Sequence, residues 1–271
     1  MNNAKNVVPK NNLSAIVLAA GKGTRMGSNL PKVLHAVLGR PLLYYVSDTI
    51  AKIGIAETIV VLGPDTEPFA KFMQDYPSVK VCIQNQRRGT GDAVASAAPG
   101  YLDLLPPHYS DAELYKGSAI ISEFCLICYG DVPLIPGEVL TEFIDQSMIH
   151  QADLSLIAID LPDPSGYGRI IMKDGKFLKI VEDRDTDWSE KEVRLCNSGI
   201  VFGRVALIFN LLAKIKPNNS QGEYYLTDIF EEATRMGLEP FVYTSNNFEA
   251  FSGVNTPDQL ANIEKWLSAS I

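Results

Sequence analysis

The chain has 271 residues, 46% of them hydrophobic, enough for one large domain or two small ones with a full core, which excludes a disordered chain. A formal net charge of -8 excludes the broad positive surface that nucleic-acid backbones require, so no nucleic-acid partner is expected. No apolar run approaches the ~20 residues that cross a bilayer, and the opening MNNAKNVVPKNN lacks the apolar stretch of a signal peptide, so the expectation is a cytoplasmic protein with no membrane partner.

SAIVLAA, residues 14–20, is a short apolar run stopped by glycine, as expected of a strand buried on both faces of a parallel sheet. A loop follows that is rich in glycine and cations and empty of acid. Lys5, Lys10, Lys22, Arg25, Lys32 and Arg40 all precede the first carboxylate, Asp48, and the remainder of the chain carries 18 basic and 32 acidic side chains. This asymmetry points to a local anion site. Residues 41–53 place Leu42, Leu43, Val46, Ile50 and Ile53 on one helical face, with Pro41 at the start and Gly54 past the end. TIVVLG (58–63) then predicts a strand, PFAKFMQDY a helix, VKVCIQ (79–84) a strand and GDAVASAA a helix opening on Gly-Thr-Gly. This alternation predicts a doubly wound α/β sheet with ligands at the carboxyl ends of its strands. The pattern lapses over 99–123, read as a surface insertion, and resumes with the strand FCLICYGD and a helix near 137–149. SLIAID, GRIIM and FLKIVED then form a strand-rich half, with a hairpin turn at Lys173-Asp174-Gly175-Lys176, before helical patterns at 222–236 and 256–268.

Gly21, Gly23 and Gly27 are spaced G-x-G-x-x-x-G, which fits neither the dinucleotide fingerprint nor the Walker motif. Glycines after a buried strand let backbone N–H groups approach phosphate oxygens, with Arg25 and Lys32 to neutralise them; a tight turn with solvated cations satisfies the same spacing. In Tyr129-Gly130-Asp131-Val132-Pro133-Leu134 a carboxylate ends an apolar run just before a chain reversal. Asp131 there reads either as a Mg²⁺ ligand facing phosphates or as a helix cap. Four cysteines, Cys82, Cys125, Cys128 and Cys196, are too few for a disulfide scaffold. Cys125 and Cys128 lie three apart on a predicted strand and face opposite ways, so they read as core thiols. None of His35, His108 and His150 lies in a nucleophile-activating setting, and His35 is read as packing or capping near the loop.

LAAGKGTRM with PKVLH, then GTGDA, YGDVPL, GYGRI, KIVED, NSGI, GEYYLTD and GVN, occur in this order over roughly residues 13–265. Together they resemble the N-acetylglucosamine-1-phosphate uridyltransferase family, the N-terminal half of a bifunctional bacterial enzyme. The first motif alone is shared with other sugar nucleotidyltransferases; the combination is narrower. The resemblance implies a Rossmann-like, GT-A-like mixed sheet flanked by helices. It divides the chain into an N-terminal extension (1–12) and a single domain (13–271). That domain comprises a nucleotide lobe (13–150), a strand-rich sugar-phosphate lobe (151–255) and a C-terminal helix (256–271). It implies transfer of UMP from UTP to N-acetylglucosamine 1-phosphate, serving peptidoglycan synthesis, with Mg²⁺ as cofactor. Carried onto matching positions, the backbone of Leu18, Ala19, Ala20 and Gly21, with Gly23, Gln84, Gly89 and Thr90, would hold the nucleotide, and Arg25 and Lys32 the triphosphate. Tyr129 and Gly130 would line the centre, and Gly168, Glu182, Asn197, Tyr225 and Thr227 the sugar phosphate. Asp131 and Asn255 would hold Mg²⁺.

Three features depart from the family pattern. Arg87 stands where these enzymes commonly carry a Gln that contacts the nucleotide, and it either adds a contact or turns outward. The 99–123 segment is long. No hexapeptide repeat precedes Ile271, so no left-handed β-helix acetyltransferase domain is expected in this chain. Rival expectations are a uridylyl- or thymidylyltransferase for another sugar 1-phosphate, a non-catalytic UDP-sugar sensor, and a dinucleotide-dependent oxidoreductase, which the glycine spacing disfavours. No oligomeric state is predicted.

Overall fold

A computed structural model describes residues 12–104, 115–116 and 120–269. All but the last residue of the expected N-terminal extension therefore lies outside the described residues. Strand β1 (Leu13–Ala19) is buried along its whole length. Ala15, Val17 and Ala19 enter one core cluster, and Ile16 and Leu18 a second on the other face, which is why the sequence shows a continuous apolar run. The Gly-rich loop leads through a small hairpin, β2 (Ala36–Val37) and β3 (Arg40–Pro41), into α1 (Leu42–Lys52), closed by Gly54 at φ 86°.

The alternation continues with β4 (Glu57–Leu62), α2 (Ala70–Asp75), β5 (Lys80–Ile83) and α3 (Thr90–Ala95). It resumes with β6 (Tyr115–Lys116), β7 (Phe124–Tyr129) and α4 (Gly137–Ile149). β1 pairs in parallel with β4 and β7, and β5 in parallel with β4, giving the doubly wound core that the sequence predicts. Leu43 of α1, Phe72 of α2 and Phe143 of α4 cover one face, and Ala93 of α3 the other. No helix among the described residues is long and apolar enough to cross a membrane.

The second half extends the same sheet. It contributes β8 (Leu154–Asp160), β9 (Arg169–Lys173), β10 (Lys176–Val181), α5 (Trp188–Lys191) and β11 (Leu195–Arg204). α6 (Val205–Leu212), α7 (Asp228–Arg235), β12 (Phe241–Ser245) and α8 (Pro257–Ala269) complete it. β11 runs antiparallel to β7 on one side and to β8 on the other, so the sheet is mixed, and β12 pairs with β8 in parallel. β9 and β10 branch from the start of β11 and form the expected hairpin, whose Asp174 (φ 53°) and Gly175 (φ 78°) take the left-handed conformations of its two-residue turn.

The long strand and the helix after it, β11 and α6, are not among the predicted elements. The polar Asn197-Ser198-Gly199 interrupts the strand pattern, and α6 is short and almost wholly apolar, with Asn210 its one polar residue, so the sequence does not set it off from the strand before it. The helix expected over 222–236 is confined to α7, because residues 222–227 pair elsewhere: Tyr224 N–H donates to Arg88 O at 2.7 Å and Gly91 N–H to Tyr224 O at 2.8 Å. The 99–123 segment does not begin as a surface insertion. Tyr101 is fully buried, with its hydroxyl 2.8 Å from Ser14 Oγ, and Ile120 is buried as well; residues 105–114 and 117–119, including His108, lie outside the described residues.

Phe202 on β11 stacks on Phe124 (5.5 Å) and meets Phe143 edge-on (6.2 Å). Because it is fully buried between strand and helix, Phe202→Ala is expected to lower stability by about 3–5 kcal/mol, read by chemical denaturation. Cys125 and Cys128 fall in opposite core clusters and all four cysteines are buried and free, in line with their reading as core thiols. Burial pushes the thiols of Cys82, Cys125 and Cys128 up to about 12, so the native protein is expected to resist alkylation at neutral pH until it is unfolded.

Candidate active site

The site is built where β1 and β7 end side by side. After Ala19 the Gly-rich loop folds back on itself: Gly23 adopts φ 65°, and a Cβ there would lie 2.5 Å from Lys32 Cβ, so glycine is what lets the two segments touch. The single turn Thr24–Met26 is anchored below by Met26, buried against Val37, Leu42, Leu134, Val254 and Ile263. From that anchored turn the exposed Arg25 reaches Asn255.

Four polar side chains from three distant segments converge here. Gly130 N–H donates to Leu18 O at 2.9 Å, carrying the strand pairing on to Asp131, and Val254 N–H donates to Asp131 O at 3.0 Å, bringing Asn255 alongside. Lys32 Nζ donates both to Asp131 Oδ2 and, at 2.9 Å, to Asn255 Oδ1, which also accepts from Arg25 Nη2 at 3.0 Å. Two side-chain oxygens therefore face one cation. Among the described residues no group of three His, Cys, Asp or Glu gathers to hold a metal. A carboxylate and an amide oxygen directed at one point nevertheless fit Mg²⁺, which takes one or two protein oxygens and completes its octahedron with phosphates and water.

Beside this cluster lies a cavity of about 340 Å³ lined by Leu18, Ala20, Gly21, Lys32, Gln84 and Tyr129, among others. Gln84 is buried and donates through Nε2 to Gly89 O (3.0 Å) and Asp92 Oδ2 (2.8 Å), which leaves its Oε1 for a ligand. Gly89 has φ 113°, and a Cβ there would lie 2.4 Å from Tyr224 O. Thr90 Oγ1 accepts from Leu226 N at 3.0 Å, so the 84–90 loop is held against the GEYYLTD segment rather than being free.

A second wall stands behind Tyr129, whose hydroxyl bonds Thr90 and whose titration burial pushes upward. The register shift in β11 between Asn197 and Val201 turns Gly199 (φ 87°) onto the Tyr129 ring, where a Cβ would come within 2.6 Å. Asn197 shapes that bulge: its Oδ1 accepts from Gly199 N–H at 3.1 Å, and its own N–H donates to Gly168 O at 2.8 Å. Thr227 Oγ1 donates to Glu182 Oε1 at 2.8 Å. Burial raises the Glu182 carboxyl above its usual range, with Thr227 opposing the shift. Gly168 backs onto Glu182, since a Cβ there would lie 3.4 Å from Oε2. Thus Gly168, Glu182, Asn197 and Thr227 gather at this wall, while Gly23, Arg25 and Asn255 stand with the cation cluster. Tyr225 lies in the segment folded against Gly91.

Asp228, next to Thr227, is raised to about 6, first by burial and then by Glu182 and Glu231. The folded chain holds this proton more tightly than the unfolded chain does, so its contribution to stability is present below about pH 4 and lost as pH rises through about 6. Asp228→Asn is therefore expected to flatten the fall of Tm over that interval. Scanning calorimetry of the two proteins checks this.

Arg87 remains exposed but lies across to the Gly-rich loop, its Nε donating to Ala20 O at 2.7 Å. Lys22, within LAAGKGTRM, and Glu223, within GEYYLTD, also line the cavity, although neither is among the residues to which the resemblance gives a role.

Residues 15–165 match the MobA-like NTP transferase domain family. The chain is 38% identical over 254 residues to the bifunctional protein GlmU of Chromohalobacter salexigens, covering 93% of this chain and 51% of that protein. It is also 38% identical over 257 residues to the bifunctional protein GlmU of Pelotomaculum thermopropionicum, covering 94% and 52%. It thus spans about half the length of these relatives. In fold it is similar to a UDP-glucose pyrophosphorylase complexed with UDP-glucose (TM-score 0.69, 16% identity, 95% and 99% of the two chains). It is likewise similar to the inositol-1-phosphate CTP transferase of T. maritima (TM-score 0.65, 18% identity, 94% of each chain). With the family match covering more than half of the chain and a sheet of the same architecture beneath it, the chain belongs to the MobA-like NTP transferase domain family.

Proposed function

We propose that this chain transfers UMP from UTP to N-acetylglucosamine 1-phosphate, releasing pyrophosphate. The observation that carries this reading is the convergence of Arg25, Lys32, Asp131 and Asn255 beside the cavity, which Lys32 and Asp131 help line. Two cations and a paired set of oxygen ligands are what two polyanions need in order to meet on an acidic protein. The substrates are those implied by the motif series that resembles the N-acetylglucosamine-1-phosphate uridyltransferase family, and the similarity to the GlmU proteins supports that reading.

A sugar 1-phosphate is ionised at neutral pH, so one of its oxygens attacks the α-phosphorus of UTP without a general base. The new P–O bond forms as the bond to the bridging oxygen breaks, and pyrophosphate leaves with that electron pair. The protein contributes alignment and charge cancellation. The backbone of Leu18–Gly21 with Gln84, Gly89 and Thr90 positions the base; Arg25 and Lys32 neutralise the phosphates. Glu182 meets sugar hydroxyls beside Asn197 and Thr227, and its carboxylate already accepts a hydrogen bond from the Thr227 hydroxyl. Asp131 and Asn255 would hold Mg²⁺, which would supply further charge neutralisation for the phosphates. UTP is a cytoplasmic metabolite, and the reading places the reaction there.

Product analysis by mass spectrometry tests the substrate pair: UTP or dTTP is offered with N-acetylglucosamine, glucose and galactose 1-phosphates in competition. UDP-N-acetylglucosamine as the dominant product supports the reading. A different sugar nucleotide keeps the mechanism and changes the substrate, whereas tight binding of UDP-N-acetylglucosamine with no product from any pair makes the chain a sensor.

A further inference from the structure

We propose that Arg87 is a positioning residue that clasps the two loops of the nucleotide cavity together, acting through Ala20 and not through the phosphates. The inference rests on nucleotide binding at this cavity, as assigned above. Residues 84–90 form one side of the cavity and the Gly-rich loop the other, and Arg87 bridges them with its 2.7 Å hydrogen bond to Ala20 O. Its Nη2 fills the space beside Gly63, just past β4, where a Cβ would sit 2.2 Å from that nitrogen. Gly63 is the notch that admits the guanidinium. A second cavity of about 320 Å³, lined by Gly63, Asp65 and Ser28, shares Ala20, Gly21 and Arg87 with the first, so the clasp forms part of the wall between them.

The cations suited to phosphates gather elsewhere, around Asp131 and Asn255. The neighbouring Arg88 is committed to Asp92 at 2.7 Å and to the Tyr224 ring and does not duplicate the clasp. Ala20 belongs to the backbone stretch assigned to the base, and Gln84 is tied to Gly89 by its own hydrogen bond. Arg87 therefore sets the spacing between the two sides that hold the nucleoside.

Three variants test this: Arg87→Ala, Gly63→Ala and the double variant. Gly63→Ala evicts the guanidinium without deleting it, since the clashing atom is the end of a flexible side chain. Both single variants are expected to raise KM for UTP about five- to tenfold with kcat within about twofold, the scale of one net intramolecular hydrogen bond. The double variant is expected to match Arg87→Ala alone. Inhibition constants for UMP and UDP are expected to weaken by the same factor as the KM for UTP. A loss that grows with the number of phosphates overturns the clasp in favour of a phosphate contact, and so does an unchanged KM in Gly63→Ala or Arg87→Ala. If Arg87→Ala fails to fold, Gly63→Ala decides alone. If the unaltered protein neither binds nor uses UTP, the nucleotidyltransferase assignment fails first and takes this inference with it.

Discussion

Lys32→Ala is expected to lower kcat for uridylyl transfer by about 10²-fold or more, the scale of losing one preorganised electrostatic contact in the transition state. The reasoning starts from burial: the Lys32 and Asp131 side chains are only 15% and 12% exposed, and the ammonium touches the two oxygens assigned to the metal. Without a ligand it serves as their counter-ion; in the proposed reaction, with both substrates bound, it would neutralise phosphate. Removing one partner of so enclosed a pair leaves a carboxylate short of compensation, so the variant is also expected to unfold at lower temperature without metal. Added Mg²⁺ should raise its Tm by more than that of the unaltered protein, because no ammonium competes for Asp131. Differential scanning fluorimetry with a Mg²⁺ series reads this independently of turnover. Normal kcat with an unaltered Mg²⁺ response removes Lys32 from its assigned role.

Asp131→Asn is expected to cost more, about 10³-fold in kcat, since it removes the one charged oxygen of the proposed metal pair and with it several kcal/mol of charge stabilisation. Asparagine keeps the shape and can still accept a hydrogen bond from Lys32, so folding is expected to survive, with Tm lowered because the enclosed Lys32 ammonium loses its counter-charge. The Mg²⁺ concentration for half-maximal rate should rise steeply. Undiminished activity with the original Mg²⁺ dependence would place the metal elsewhere.

Much of this was legible in the residues. The nucleotide half was readable because strands buried on both faces must be continuous apolar runs, and β1, β4, β5 and β7 all are. The hairpin between β9 and β10 was readable because Asp-Gly is what a two-residue turn needs. β11 was not, since the residues that break its pattern form the bulge that turns Gly199 onto Tyr129, so the local irregularity belongs to the site. The GEYYLTD segment deceived in the same way. Its apolar spacing suits a helix, but tertiary hydrogen bonds to Arg88 and Gly91 take its backbone groups. Glycines and ordered motifs marked the candidate site residues, whereas the meeting of Lys32 with Asp131 and Asn255 spans far too much sequence to be read from spacing. Arg87 showed only as a departure from a pattern; its direction depended on the notch at Gly63.

The most direct test of the central proposal, base-free displacement at the α-phosphorus by charge cancellation, is pyrophosphate release from UTP followed with and without N-acetylglucosamine 1-phosphate, in Mg²⁺ and in EDTA, across neutral to mildly alkaline pH. The expected result is release that requires both the sugar phosphate and Mg²⁺, with kcat flat over the pH range because no side chain takes a proton. Release that proceeds without the sugar phosphate, or a kcat that climbs with the titration of a single base, would contradict it.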